Sequence, residues 1–171
     1  MLERIKHLFS KEEKQIVAEV ASKPRKDHSL ERYIDAQERM YDRALEEVKN
    51  GKKVTHWIWY IFPQIKGLGT SNKSIYYGID SQEEAEAYLR HPILGARLRE
   101  ITSVFLNLNR VNAKDVFGEL DAMKVRSCMT LFDEVADDNL FQKVIDRYFN
   151  GCKDISTLKL LGISDNTVSN Q

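Results

Sequence analysis

Cysteine is scarce in this 171-residue chain: Cys128 and Cys152 are the two present. Two cannot build a disulfide framework, so reduced thiols are expected. Long apolar runs are missing too. No stretch approaches the roughly 18 residues that suggest a membrane-spanning helix. The N-terminus, with Glu3, Arg4 and Lys6 close together, has no apolar signal core. These features point to the cytoplasm. Net charge is also absent, since 26 basic residues balance 26 acidic ones. A domain that tracks a phosphate backbone is usually basic, so the balance weighs against a broad nucleic-acid interface. It leaves room for a local anion site. His7, His28, His56 and His91 fall at no metal-ligand spacing, and the two cysteines lie 24 positions apart. No metal site is expected.

What is present is ordinary for a globular chain: 42% hydrophobic and 30% charged residues. A chain of this length can bury about two thirds of its unfolded surface without staples. Apolar residues recur mostly at helical spacing, and neither alternating strands nor internal repeats appear. The expected fold is all-α or mainly α, an irregular compact helical bundle with a short irregular or strand-like insertion.

Three regions are expected. Residues 1–29 form an N-terminal helical extension and linker, with a helix over 2–22 and a polar linker around Pro24. Residues 30–161 form the main helical domain. Residues 162–171 form a polar tail. In the main domain, Leu30, Tyr33, Ile34, Gln37, Tyr41, Ala44, Leu45 and Val48 trace one helical face, stopped by Asn50-Gly51. The aromatic block Trp57–Phe62 follows, then a glycine-containing loop to Ser74. Ser74–Ile79 reads as a short strand or an irregular segment. Ser81 with Glu84 caps a helix to about Arg90. Further helices are expected from Pro92, over 113–117, over 121–136, over 140–149, and from Asp154 through Leu161.

Residues 49–79 do not read as plain core. They carry five lysines, no acidic residue and both tryptophans. Ring faces can stack a base, and nearby cations can meet phosphate. Gly67 and Gly69 would allow backbone N–H groups to approach an anion. The competing reading is that the tryptophans anchor the core and the lysines solvate its surface. Gly67-Leu68-Gly69-Thr70-Ser71 completes neither a dinucleotide-binding nor a phosphate-binding loop.

His56 is the candidate acid or base, although a core-edge histidine bonded to backbone is the simpler reading. Gln37 lies on an apolar helix face and belongs to a polar network or a pocket wall. Gln64 offers a donor and an acceptor. Lys124 and Arg126 put two cations near a helix start, where a ligand anion or the neighbouring Asp121 and Glu119 would offset their cost. Ser127 and Thr130 would line the same cleft, but Ser127 has no histidine-acid relay beside it.

Several blocks together resemble the bacterial family catalogued as domain of unknown function 1810, DUF1810, loosely labelled calpastatin-like. They are Thr55-His56-Trp57-Ile58-Trp59-Tyr60-Ile61-Phe62-Pro63-Gln64, Gly67-Leu68-Gly69 and Tyr76-Tyr77-Gly78-Ile79. Gln37 and Tyr41 match its first helix. Tyr88-Leu89, His91-Pro92, Leu94-Gly95 and Arg97-Leu98 match its centre. Lys124, Arg126-Ser127, Met129-Thr130-Leu131-Phe132 and Asp146-Arg147-Tyr148-Phe149 match its end. The resemblance covers about residues 30–161. It implies a chiefly α-helical fold and no established activity or cofactor. Cys128 stands where a small Ser-like residue is common in the family, and the first 29 residues lie outside the familiar domain.

The functional expectation is recognition of a small phosphate-bearing or nucleotide-like metabolite. Trp57, Trp59, Gln64 and the Gly67–Ser71 loop would build the pocket. Lys124 and Arg126 would neutralise the anion, with Gln37 and Tyr41 supporting the wall. Were the protein an enzyme, His56 would serve hydrolysis or transfer at a phosphate- or ribose-linked bond. A pocket joining His56 to Arg126 would favour the ligand reading, and a flat apolar face across the first helix a protein partner. The alternative is a non-catalytic helical interaction module that engages a protein partner through its N-terminal segment.

Overall fold

The structure is a computed structural model, and it describes residues 30–109 and 111–163. The expected helix over 2–22 and most of the polar tail lie outside the described residues. Nine helices are found among the described residues: α1 Glu31–Lys49, α2 Ile58–Ile61, α3 Asn72–Tyr77, α4 Gln82–Arg90, α5 Leu94–Leu106, α6 Ala113–Phe117, α7 Glu119–Asp133, α8 Leu140–Phe149 and α9 Ile155–Leu160. They form an irregular bundle without a β-sheet among the described residues.

The apolar stripe of α1 buries Tyr33, Ala44 and Val48, along with Gln37. The helix ends as its sequence predicts. Lys52 N–H donates to Glu47 O at 3.0 Å and Gly51 N–H to Val48 O at 2.9 Å, the paired closure of a Schellman motif. Packing of α1 on α5, and of α7 on α8, builds most of the core. Phe117, at the end of α6, meets the rings of Trp57, Phe62 and Phe105 edge-on. Tyr148 of α8 stacks on Phe105 at 4.1 Å and donates its hydroxyl to the Phe105 carbonyl at 2.7 Å. Such ring pairs add to the area term that dominates core energetics.

Between α4 and α5 the backbone itself is in contact. A Cβ on Gly95 would lie 2.0 Å from the Leu89 carbonyl oxygen, so this junction admits only glycine. Ser81 caps α4 as expected, its Oγ accepting from Glu84 N–H at 3.2 Å. The Glu84 carboxylate instead meets Arg32 of α1 at 2.5 Å.

The expected strand or irregular segment over Ser74–Ile79 is corrected. Asn72–Tyr77 is a helical turn, with Ser71 as its cap. Ser71 Oγ accepts from Ser74 N–H at 3.2 Å. Among the described residues, extended pairing survives only as one parallel bridge, Ile65 to Ile79. Its bonds run from Lys66 N–H to Ile79 O at 2.8 Å and from Ile79 N–H to Gln64 O at 2.9 Å. They close the base of the loop that carries α3 and fix Gln64 beside it.

Candidate functional site

Two adjoining hollows open where this loop faces α7. The inner one is lined by Trp59, Phe62, Gln64, Ser74, Tyr77 and Lys124, among others. The outer one is lined by Gln64, Leu68, Gly69 and Ser74 from the loop, and by Leu120, Met123, Lys124 and Ser127 from α7. Asp154 and Ser156, at the start of α9, complete it. Gln64, Ser74 and Lys124 line both hollows, so they form the junction between them.

The sizes differ sharply. The outer cleft holds about 340 Å³, within the range of roughly 300–1,000 Å³ common for ligand pockets. The inner hollow holds about 10 Å³, the room of a single water. Trp59 lines the inner one, so its ring has no space there to stack a base. Its contacts are with cations instead. Lys73 Nζ lies 4.5 Å from the ring centroid and Lys124 Nζ lies 5.2 Å away, both within cation–π range.

Lys124 also has a carboxylate neighbour. Its Nζ is 3.2 Å from Asp121 Oδ1, while Lys53 Nζ is 2.9 Å from Asp121 Oδ2. One carboxylate therefore serves two ammonium groups, leaving a formal positive surplus over Asp121. If Lys124 swings toward an incoming anion, Lys53 still neutralises Asp121. The expectation that Lys124 and Arg126 sit near a helix start is corrected, because α7 begins at Glu119 and both lie beyond its first turn. Of the two expected acidic partners, Asp121 meets Lys124, whereas Glu119 meets Lys114.

The loop approaches α3 closely at Gly69. A Cβ there would stand 2.5 Å from Ser74 Oγ. Ser127 is buried and donates its hydroxyl to the Met123 carbonyl at 3.1 Å, an in-helix bond that leaves its lone pairs as acceptors. Asp154 Oδ2 accepts from Thr157 N–H at 2.9 Å and from Thr157 Oγ1 at 2.5 Å, capping α9.

The expected site residues divide into two groups. Trp59, Gln64, Gly69, Lys124 and Ser127 come together on these hollows. Ser71 lies beside them as the cap of α3, with its Oγ 2.8 Å from Ser74 Oγ. Gly67 lies farther along the loop, where a Cβ would meet Leu160 at 3.4 Å.

The others serve the scaffold. Gln37 is fully buried, donating from Nε2 to the Tyr60 carbonyl at 2.7 Å and to the Tyr88 hydroxyl at 2.9 Å. Tyr41 bonds Glu100 and the Arg97 carbonyl from its hydroxyl, and burial pushes its phenol well up from the ordinary value. Trp57 is wholly buried and donates its indole N–H to Glu47. Arg126 forks onto backbone, with Nε donating to Cys152 O at 2.7 Å and Nη2 to Lys153 O at 2.9 Å. Its guanidinium holds the segment that delivers Asp154, and neither hollow includes it. His56 is exposed, and neither hollow includes it either. The pocket joining His56 to Arg126 that would favour a ligand is not formed by either hollow; Gln64 and Lys124 are the residues that meet there instead.

Sequence reasoning missed Ser74, Asp154, Ser156, Leu120 and Met123 as lining residues. Asp154 carried a signal as a helix cap, but its place in the same cleft as Lys124 follows from packing of α9 on α7. Among the described residues, no group of three or more His, Cys, Asp or Glu is placed to hold a metal ion. No described helix is long and apolar enough to cross a membrane.

No match among functionally curated proteins is found. Among solved structures, the chain is similar to the conserved hypothetical protein Rv1873 from Mycobacterium tuberculosis. The two share 39% identity over 79% of this chain and 97% of the other, with a TM-score of 0.77. The family model described as "Protein of unknown function (DUF1810)" matches residues 27–161. Match and fold agree over the whole helical body, and the chain belongs to the DUF1810 family.

Proposed function

We propose that the outer cleft binds a small phosphate-bearing metabolite, no larger than a mononucleotide. The observation that carries this reading is the position of Lys124, at the junction of both hollows, beside Gln64 and Ser74. Its charge is surplus to Asp121, which Lys53 also neutralises. Gln64 supplies a donor and an acceptor, and Ser74 a hydroxyl. Trp59 contributes through its contact with Lys124 rather than by stacking. No catalytic step is proposed, because His56 stands outside the cleft. The cytoplasm is the compartment proposed, in keeping with two free cysteines.

One observation favours the alternative, an interaction module. Leu120 and Met123 on the cleft rim are 74% and 63% exposed, which suits a protein partner as well as a ligand's apolar part. A thermal-shift panel of inorganic phosphate, sugar phosphates, nucleoside monophosphates and short single-stranded oligonucleotides separates the two. A saturable rise in Tm that Lys124→Ala removes supports the ligand reading. A folded protein with no shift across the panel rejects it in favour of the partner.

A further inference from the structure

The outer cleft is lined by groups of opposite charge, Lys124 and Asp154. Lys124, Gln64 and Ser74 stand at the inner end, where the two hollows meet. Asp154 and Ser156 line the outer cleft and take no part in the inner one, so they lie away from that junction. Asp154 caps α9 through Oδ2 alone, with both Thr157 bonds ending on that atom. Neither cap bond uses Oδ1, so the carboxylate of this cleft-lining residue keeps acceptor capacity. Ser156, two residues on, is exposed and adds a hydroxyl that donates or accepts.

A bare phosphate would use the Lys124 end and ignore the rest. A purely aromatic phosphate would find apolar support on Leu120 and Met123 but would leave Asp154 unsatisfied and partly desolvated, which is unfavourable. A ligand with hydroxyl groups away from its phosphate satisfies both ends. Carboxylate acceptors are well suited to sugar hydroxyls, because an ionised oxygen forms a stronger hydrogen bond than a neutral one.

Building on the ligand reading above, we infer that the cleft selects phosphorylated polyols or sugars: the phosphate meets Lys124 and Gln64, and the hydroxyls meet Asp154 and Ser156.

The test is calorimetric titration of the full chain with ribose 5-phosphate and with phenyl phosphate, two monoesters that share a phosphate and differ in hydroxyl content. The expected result is tighter binding of ribose 5-phosphate. Asp154→Asn, which retains a capping side chain, should weaken ribose 5-phosphate about tenfold while changing phenyl phosphate less than about twofold. Ser156→Ala, at an exposed position, should move the same way by a smaller factor and does not touch the cap. Lys124→Ala should weaken both ligands. Equal binding of the two ligands, or ribose 5-phosphate affinity unchanged in both Asp154→Asn and Ser156→Ala, overturns the polyol inference and leaves the phosphate reading standing. Failure of the wild-type chain to bind either monoester overturns both.

Discussion

The Trp57 indole N–H donates to Glu47 Oε2 at 2.8 Å, across the turn that joins α1 to α2. Three further bonds reach the same carboxylate: Thr55 Oγ1 at 2.6 Å, Val54 N–H at 2.8 Å and Thr55 N–H at 3.1 Å. A charged residue on an otherwise ordinary helix thus organises the start of the aromatic block. It fixes Trp57 in the core, and the chain then leaves through α2 toward Gln64.

Glu47 makes stability depend on pH. Burial opposes its ionisation, but the Thr55 hydroxyl, the backbone N–H groups and the indole outweigh that and hold its carboxyl down at about 2. The native pKa is below the unfolded one. The stabilisation is therefore complete above about pH 4.5 and is lost as pH falls toward about 2. Glu47→Gln should lower unfolding free energy by about 2 kcal/mol at pH 7, because a neutral amide replaces four charge-assisted bonds. Urea titrations of both proteins at pH 7 and near pH 2.5 check this. The gap between them should shrink at the lower pH, and a constant gap contradicts the assignment.

A second prediction concerns the α4–α5 junction. Gly95→Ala places a methyl carbon against the Leu89 carbonyl, where 2.0 Å is available. Backbone on both sides has to move, so a loss of about 2–4 kcal/mol is expected from overpacking. Denaturant unfolding reads it directly. A variant within 0.5 kcal/mol of wild type, on the order of a surface substitution, would show that the helices separate easily.

The two cysteines should differ in reactivity. Cys152 is exposed, whereas Cys128 is wholly buried and burial pushes its thiol well up from the ordinary value. Thiolate fraction and access both set the rate of alkylation. Titration with a chromogenic disulfide reagent should register one fast thiol in the native protein and two after unfolding in denaturant. Cys152→Ser should abolish the fast phase. Rapid labelling of both in native conditions would mean that α7 opens readily.

Helical spacing made much of this fold legible. Tyr33, Gln37, Tyr41, Ala44 and Val48 fall on one face of α1 because the buried side of a helix repeats every 3.6 residues. Ser81 and Asp154 announced the starts of α4 and α9 as caps. Ser71 caps α3 in the same way, but this helix has no buried residue and hence no apolar stripe to read. Glu47 sits beside Glu46 in a charged stretch, and its burial is set by Trp57, ten residues later. The site was legible in part. Gln64 and Lys124 are singled out by their own chemistry, but their meeting depends on how the loop packs against α7. Tryptophans two positions apart looked equivalent; one is wholly buried core and the other half-exposed beside two lysines.

Lys124 and Arg126 look alike in the sequence, and the structure gives them different tasks. Arg126 spends its guanidinium on the carbonyls of Cys152 and Lys153, which precede Asp154 and α9. Lys124 lines the cleft, with its ammonium beside Asp121 and the Trp59 ring. Arg126→Ala should therefore lower Tm and speed amide exchange in the backbone of 152–160, because the Cys152 and Lys153 carbonyls lose a planar donor that lysine cannot reproduce. Lys124→Ala should leave Tm within about 2 °C, since the ion pair it removes is partly exposed and worth less than 1 kcal/mol, roughly, by double-mutant standards. Its effect should fall on phosphate-ester binding, most strongly at low ionic strength, where the charge is least screened. Hydrogen exchange and titration of the two variants side by side decide the matter. If Arg126→Ala leaves exchange in 152–160 unchanged while abolishing phosphate binding, the guanidinium belongs to the ligand site and its backbone fork does not hold in solution.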